Sequence, residues 1–136
     1  MERDAKFKIG EIVKHKFLSF RGVIFDVDPT FNNTDEWWLS IPEEIRPRKD
    51  QPFYHLLAEN DVTEYVAYVS EQNLLYDINK DPVRHPQVDE LFSEYKDGSY
   101  LISQERMHYL FCKKTIVPFL FVYLLKTFIS FGQNIF

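Results

Sequence analysis

FKIGEIVKHKFLSFRGVIFDVDP, residues 7–29, carries two strand signals joined by a short link. Gly10 punctuates the start. Ile12, Val13 and Phe17 mark a first apolar stretch, interrupted by Lys14, His15 and Lys16. Gly22 opens a second stretch. There Val23, Phe25 and Val27 sit two apart, with Ile24, Asp26 and Asp28 between them. Successive strand residues point to opposite faces, so Val23, Phe25 and Val27 are expected to share one buried face. Pro29 has no backbone N–H to donate, so the second strand is expected to stop there. The link Leu18–Arg21 is too short for a crossover, which makes the pairing antiparallel.

Further strands add to this ribbon. Phe53–Ala58 reads as a third, and Glu59-Asn60-Asp61 as the turn after it. Val62–Val69 is a fourth, rich in β-branched and aromatic residues, and Asn73–Tyr76 a short fifth. Between the second and third lies a long insertion, Thr30–Gln51, broken by Pro42 and Pro47 and carrying Phe31, Trp37, Trp38, Leu39 and Ile41. So many large apolar groups do not suit a solvated linker. One helical turn near Asp35–Leu39 is expected, folded back on the sheet. Two readings stand for Trp37 and Trp38: packing, or an exposed partner surface. Val88, Leu91, Phe92 and Tyr95 then fall at helical spacing, with Pro86 suited to a first turn and Gly98 to a stop. This predicts one short C-terminal helix, with a last strand at Tyr100–Ile102. Many short strands and no β-α-β alternation point to a mainly-β fold, a small barrel or sandwich.

The chain has 136 residues, 17% aromatic, and a net charge of −5. The charge is uneven: +3 over residues 1–25, −11 over residues 26–100 and +3 over residues 101–136. An acidic body works against non-specific nucleic-acid binding, which depends on neutralising phosphates. A basic edge at Lys6, Lys8, Lys14, Lys16 and Arg21 is the candidate DNA-contacting set, against the plainer reading of a solvated strand face. The single cysteine, Cys112, excludes an internal disulfide and fits a reducing, cytoplasmic setting. The opening MERDAKFKIG has acids and no apolar core, so no signal peptide is expected.

No catalytic signature emerges. Four scattered glycines make no phosphate loop, and neither G-x-S-x-G nor H-E-x-x-H occurs. His15, His55, His85 and His108 each lack a second ligand at metal spacing, so no metal site and no cofactor are expected. His15 and His55 read as structural strand histidines. Asp26 and Asp28 could do acid–base work as a pair, but an exposed or turn-capping role beside Pro29 is the plainer reading.

Several separated motifs, in order, resemble the HspQ heat-shock protein family, also called the YccV-like hemimethylated-DNA-binding domain. They are F-x-I-G-x-x-V-x-H (Phe7, Ile9, Gly10, Val13, His15), R-G-V-I-x-D-x-D-P (Arg21–Pro29), P-x-Y-H (Pro52, Tyr54, His55) and H-P-Q-V-D-E-L-F (His85–Phe92). The resemblance covers roughly residues 7–103. It implies a small SH3-like antiparallel β-barrel without catalysis, so the chain is not expected to be an enzyme. It also implies a heat-shock accessory role: assisting an ATP-dependent protease on denatured or specific proteins, as adaptor or specificity enhancer. Binding of hemimethylated DNA is the alternative, and self-association is implied as well. Trp37, Trp38, Tyr65 and Tyr68 are the candidate partner surface for the first role.

Residues 1–103 are thus read as the β-barrel domain and 104–136 as an atypical apolar C-terminal extension. Within the extension, Thr115–Phe131 has Pro118 near its start and Lys126 inside it. A membrane helix needs about 20 mostly apolar residues, and a central Lys costs roughly 2.5–3.5 kcal/mol. Membrane contact through this run is disfavoured but open, beside a loosely packed appendage or a chance extension.

Overall fold

The structure, a computed structural model, describes residues 4–102. The apolar run Thr115–Phe131, His108 and Cys112 lie outside the described residues. Among those described, no helix is long and apolar enough to cross a membrane.

The expected strands form, and the architecture is mainly β and antiparallel. Strands β1 (Ile12–His15), β2 (Arg21–Asp28), β3 (Phe53–Glu59), β4 (Glu64–Ser70) and β5 (Leu74–Tyr76) make one sheet in the order β4-β3-β2-β1-β5. The β1–β2 pairing is antiparallel, with Ile12 opposite Val23. β2 stops at Asp28, before Pro29. The helical turn expected in the insertion is α1 (Asp35–Ser40). Thr34 caps it, its Oγ1 accepting the Trp37 N–H at 3.1 Å, as short hydroxyl side chains do at helix starts. Single 3-10 turns occupy Glu43–Ile45 and Glu71–Asn73.

Two expectations need correction. The C-terminal helix is one turn only, α2 (Val88–Leu91), and the chain is already extended at Phe92. Beyond it the chain forms a hairpin, β6 (Glu94–Lys96) and β7 (Ser99–Leu101). Its turn is Asp97-Gly98, both with positive φ, the pairing that a type I′ hairpin favours. Tyr95 therefore pairs with Tyr100 across a ribbon and does not continue a helix. The second correction concerns β2. Its register against β3 shifts between Ile24 and Asp26, so Phe25 is the extra residue of a bulge. A bulge reverses the alternation beyond it. Val23 and Phe25 accordingly pack on one side, with Ile12, Leu57, Val83, Val88, Phe92 and Tyr100. Val27 packs on the other, against the cluster of Phe7, Val13, Phe20, Ile24, Tyr54, Leu56 and Leu74. β2 is buried on both faces.

The hairpin is joined to the sheet at Gly10. The Gly10 N–H donates to Ile24 O, and the Tyr100 N–H donates to Gly10 O, each at 2.8 Å. Gly10 has φ +93°, and a Cβ there would sit 2.0 Å from the Tyr100 carbonyl oxygen. Glycine is the residue that accepts such a conformation without steric cost. We expect Gly10→Ala to destabilise the domain by about 2 kcal/mol or more, combining backbone strain with overpacking. Urea unfolding followed by tryptophan fluorescence measures this; a loss under about 0.5 kcal/mol, the scale of neutral surface changes, refutes it.

Candidate interaction surfaces

The basic candidates separate in the fold. Arg21 begins β2 directly opposite Glu59 on β3. Its Nη1 meets Glu59 Oε1 and its Nε meets Asp77 Oδ2, both at 2.6 Å. Its remaining N–H groups donate to the carbonyls of Asp81 and Pro82. Burial opposes the charge on Arg21, yet Asp77 and Glu59 hold its pKa above the ordinary value. Glu59 Oε2 in turn accepts the Arg84 backbone N–H at 2.7 Å. Arg21 is therefore an internal clamp that fastens the segment after β5 to the central strands. Lys6, Lys8, Lys14 and Lys16 are exposed. Two of them flank the outer strand: the Lys6 ammonium lies over the Tyr76 ring, and Lys14 pairs with Leu75. An open cleft of about 660 Å³ beside the clamp is lined by both signs of charge, including Lys14, Arg84, Asp61 and Asp81.

The aromatic candidates separate too. Tyr65 and Tyr68 lie three apart on β4 and so face opposite sides of the sheet. Tyr65 packs edge-on against Phe20, and burial pushes its phenol up to about 12. Tyr68 stacks on Phe53 and tilts over His55. Trp37 meets Tyr68 edge-on at 5.4 Å and stacks on Phe31. Trp38 is held within the insertion: its Nε1 donates to Pro47 O at 2.8 Å, and Arg46 and Lys49 lie over its ring. Both tryptophans are half-buried, so packing accounts for much of their surface. Beyond Leu39 of α1, which is 59% exposed, further exposed apolar groups lie elsewhere. Leu75 and Tyr76 on the outer strand β5 are 40% and 46% exposed, Ile78 just beyond is 84% exposed, and Phe17 is 62% exposed. No local sequence signal marks Leu75, Tyr76 and Ile78 as exposed, because each is an ordinary apolar residue in or just past a strand-like run.

The histidines divide. His15 is buried, and its Nδ1 accepts the N–H groups of Phe17 and Leu18, both at 3.0 Å. Burial pushes its pKa down to about 4, so His15 serves as a neutral cap of the β1–β2 link. His55 instead meets the aspartates. Its Nε2 is 2.9 Å from Asp28 Oδ2, and Asp26 stands opposite it across the ladder. These three converge at a half-buried place on the sheet, and His15 is not part of it. Tyr68 borders the group. Its oxygen accepts the Asn32 N–H at 2.9 Å; burial first, then the Asp28 carboxylate, raises its pKa and keeps the phenol protonated.

With this geometry, the comparisons with known proteins are specific. The family described as hemimethylated DNA-binding protein YccV like matches residues 5–99. The chain belongs to this family. It is also similar to F-box only protein 21: 34% identical over 104 residues in Homo sapiens and in Pongo abelii, and 33% in Mus musculus. The match covers 76% of this chain and 16% of each of those relatives. The chain thus spans about a sixth of the length of the curated relatives it matches. A YccV-like domain is a binding domain.

The buried charges have two measurable consequences. Arg21→Ala takes from Asp77 its ion-pair partner and leaves Glu59 the looser contact to Arg84 at 3.9 Å; it is expected to cost about 3 kcal/mol, the low end for a broken buried pair, and equal unfolding midpoints for variant and parent refute the clamp. An unfolded histidine titrates near 6.5, whereas folded His15 titrates near 4. Between those values the unfolded chain binds the extra proton, so this contribution is complete above pH 6.5 and is lost as pH falls toward 4. It is on the order of 2–3 kcal/mol. In urea unfolding across that window, His15→Gln is expected to show a shallower pH slope than the parent; parallel slopes refute it.

Proposed function

We propose that this chain is a non-catalytic accessory module that presents denatured or specific proteins to an ATP-dependent protease. The observation that carries the reading is the β5 edge, with Leu75, Tyr76 and Ile78 exposed beside it. An outer strand offers unpaired backbone groups to an extended polypeptide, and neighbouring apolar side chains supply affinity. Lys6 and Lys14 flank the edge and favour acidic client segments. The acidic balance of residues 26–100 and the internal use of Arg21 both weigh toward protein partners. The protease partnership itself rests on the HspQ resemblance; the geometry contributes only the docking edge.

Degradation of reduced, carboxymethylated α-lactalbumin by a purified ATP-dependent protease, with and without this chain, tests the reading. We expect faster degradation with the chain and a loss of that gain in Leu75→Lys/Tyr76→Glu, since charges at an edge oppose strand addition. An unchanged rate with the parent chain removes the role.

The family description favours a second reading, binding of hemimethylated DNA. Lys6, Lys8, Lys14 and Lys16 would then contact phosphates, with Arg21 left to its internal partners. Affinity should fall with salt at a log–log slope of about −0.9 per phosphate neutralised. Equal affinity for hemimethylated and unmethylated duplex would remove the specificity.

A further inference from the structure

We propose that Asp26, Asp28 and His55 form a binding site for a divalent first-row transition-metal ion such as zinc or manganese. Each residue offers one donor atom, and the three donors lie within 4.8 Å of one another. His55 Nε2 and Asp28 Oδ2 are 2.9 Å apart. Adjacent ligands around an ion with bonds of about 2.1 Å stand roughly 3 Å apart, so this pair needs almost no rearrangement.

The fold builds the cluster. Without the bulge at Phe25, Asp26 would lie on the face of Ile24, inside the apolar core. With it, Asp26 stands opposite His55, and Asp28 follows on the same face. The donors also have outer supports. Asp26 Oδ1 accepts the Val27 N–H at 2.8 Å. The Asp28 carboxylate acts on the Tyr68 phenol, whose oxygen accepts from Asn32. Metal-ligating groups ordinarily carry such outer partners, which hold them in orientation. Phe25 and Tyr68 flank the imidazole, with ring centroids 5.9 and 4.7 Å away.

The donor set selects the ion class. Magnesium and calcium prefer all-oxygen surroundings, and copper(I) prefers sulfur. One imidazole nitrogen with two carboxylates suits zinc, manganese or iron(II). Two carboxylates on one strand repel each other, and a divalent ion cancels both charges. Three protein ligands leave coordination positions for water or for a group from a partner, as in metal sites that remain open.

The competing explanation is an Asp–His hydrogen bond with no affinity for metal. The full chain, stripped with EDTA, is titrated calorimetrically with ZnCl2 at pH 7, and separately with CoCl2 while visible absorption is recorded. We expect one-to-one saturable zinc binding, cobalt bands that appear in step, and a higher Tm with excess zinc. Asp28→Asn and His55→Ala should each abolish binding, and Tyr68→Phe should weaken it about 10-fold. Absence of saturable binding overturns the site. Binding that survives Asp28→Asn and His55→Ala lies elsewhere in the chain and overturns it equally. Should those variants fail to fold, the His55 Nε2 resonance of the parent decides: zinc shifts it on direct ligation, and an unmoved signal refutes the site.

Discussion

Val23 and Ile24 are neighbours on β2, both without solvent exposure, and they point to opposite sides of the sheet. A central strand buried on both faces has to be covered twice, and the remaining described elements are arranged to do this. Phe7, Phe20, Tyr54 and Leu74 close one side. Val83, Val88, Phe92 and Tyr100 close the other. Each such side chain, fully buried, contributes about 1.5–3 kcal/mol. The second cover comes from a segment with little regular structure of its own, so it depends on anchors. Arg21 supplies one by gripping Asp77 and the carbonyls of Asp81 and Pro82. The Tyr100 phenol supplies another by accepting the Val83 N–H at 2.8 Å. Gly10 supplies the third, through its close approach to Tyr100.

The bulge in β2 extends the same constraint to the polar side chains. The first half of the strand is apolar on both faces. The second half has to carry Asp26 and Asp28 without burying their charges in either core. One inserted residue turns Asp26 toward His55 and leaves Val27 on the apolar side. The insertion then shelters this polar row, because Phe31 and Trp37 pack on Phe53 and Tyr68. The carboxylates and the imidazole end up half-buried beside aromatic walls.

Charge and apolar exposure are likewise segregated. The exposed cations Lys6 and Lys14 lie beside β5, where Leu75 and Tyr76 are also exposed. The aromatic residues of α1 and β4 pack within the fold: Trp37 on Tyr68, Tyr65 on Phe20, and Trp38 beneath Arg46 and Lys49. The β5 edge therefore combines basic and apolar exposure, whereas Trp37 and Trp38 are half-buried.

Local patterns carried much of this. Alternation marks the start of β2, Pro29 ends it, β-branched and aromatic residues mark β4, and a helical turn was legible near Asp35, because each effect acts over a few neighbouring residues. Gly98 read locally as a helix stop after the helical spacing of Val88, Leu91, Phe92 and Tyr95; instead Asp97-Gly98 turns a hairpin, and Tyr95 pairs with Tyr100. The meeting of Asp26 and Asp28 with His55, and the capture of Arg21 by Glu59 and Asp77, had no local signature. They depend on which residue of β3 faces which residue of β2, and on a segment returning from beyond β5. Residue types and their spacing determined the strands and the acidic balance of this chain. Register, the bulge and the packing of distant segments decided which charges are clamped, which are gathered and which stay exposed, because strand pairing and core closure are long-range interactions.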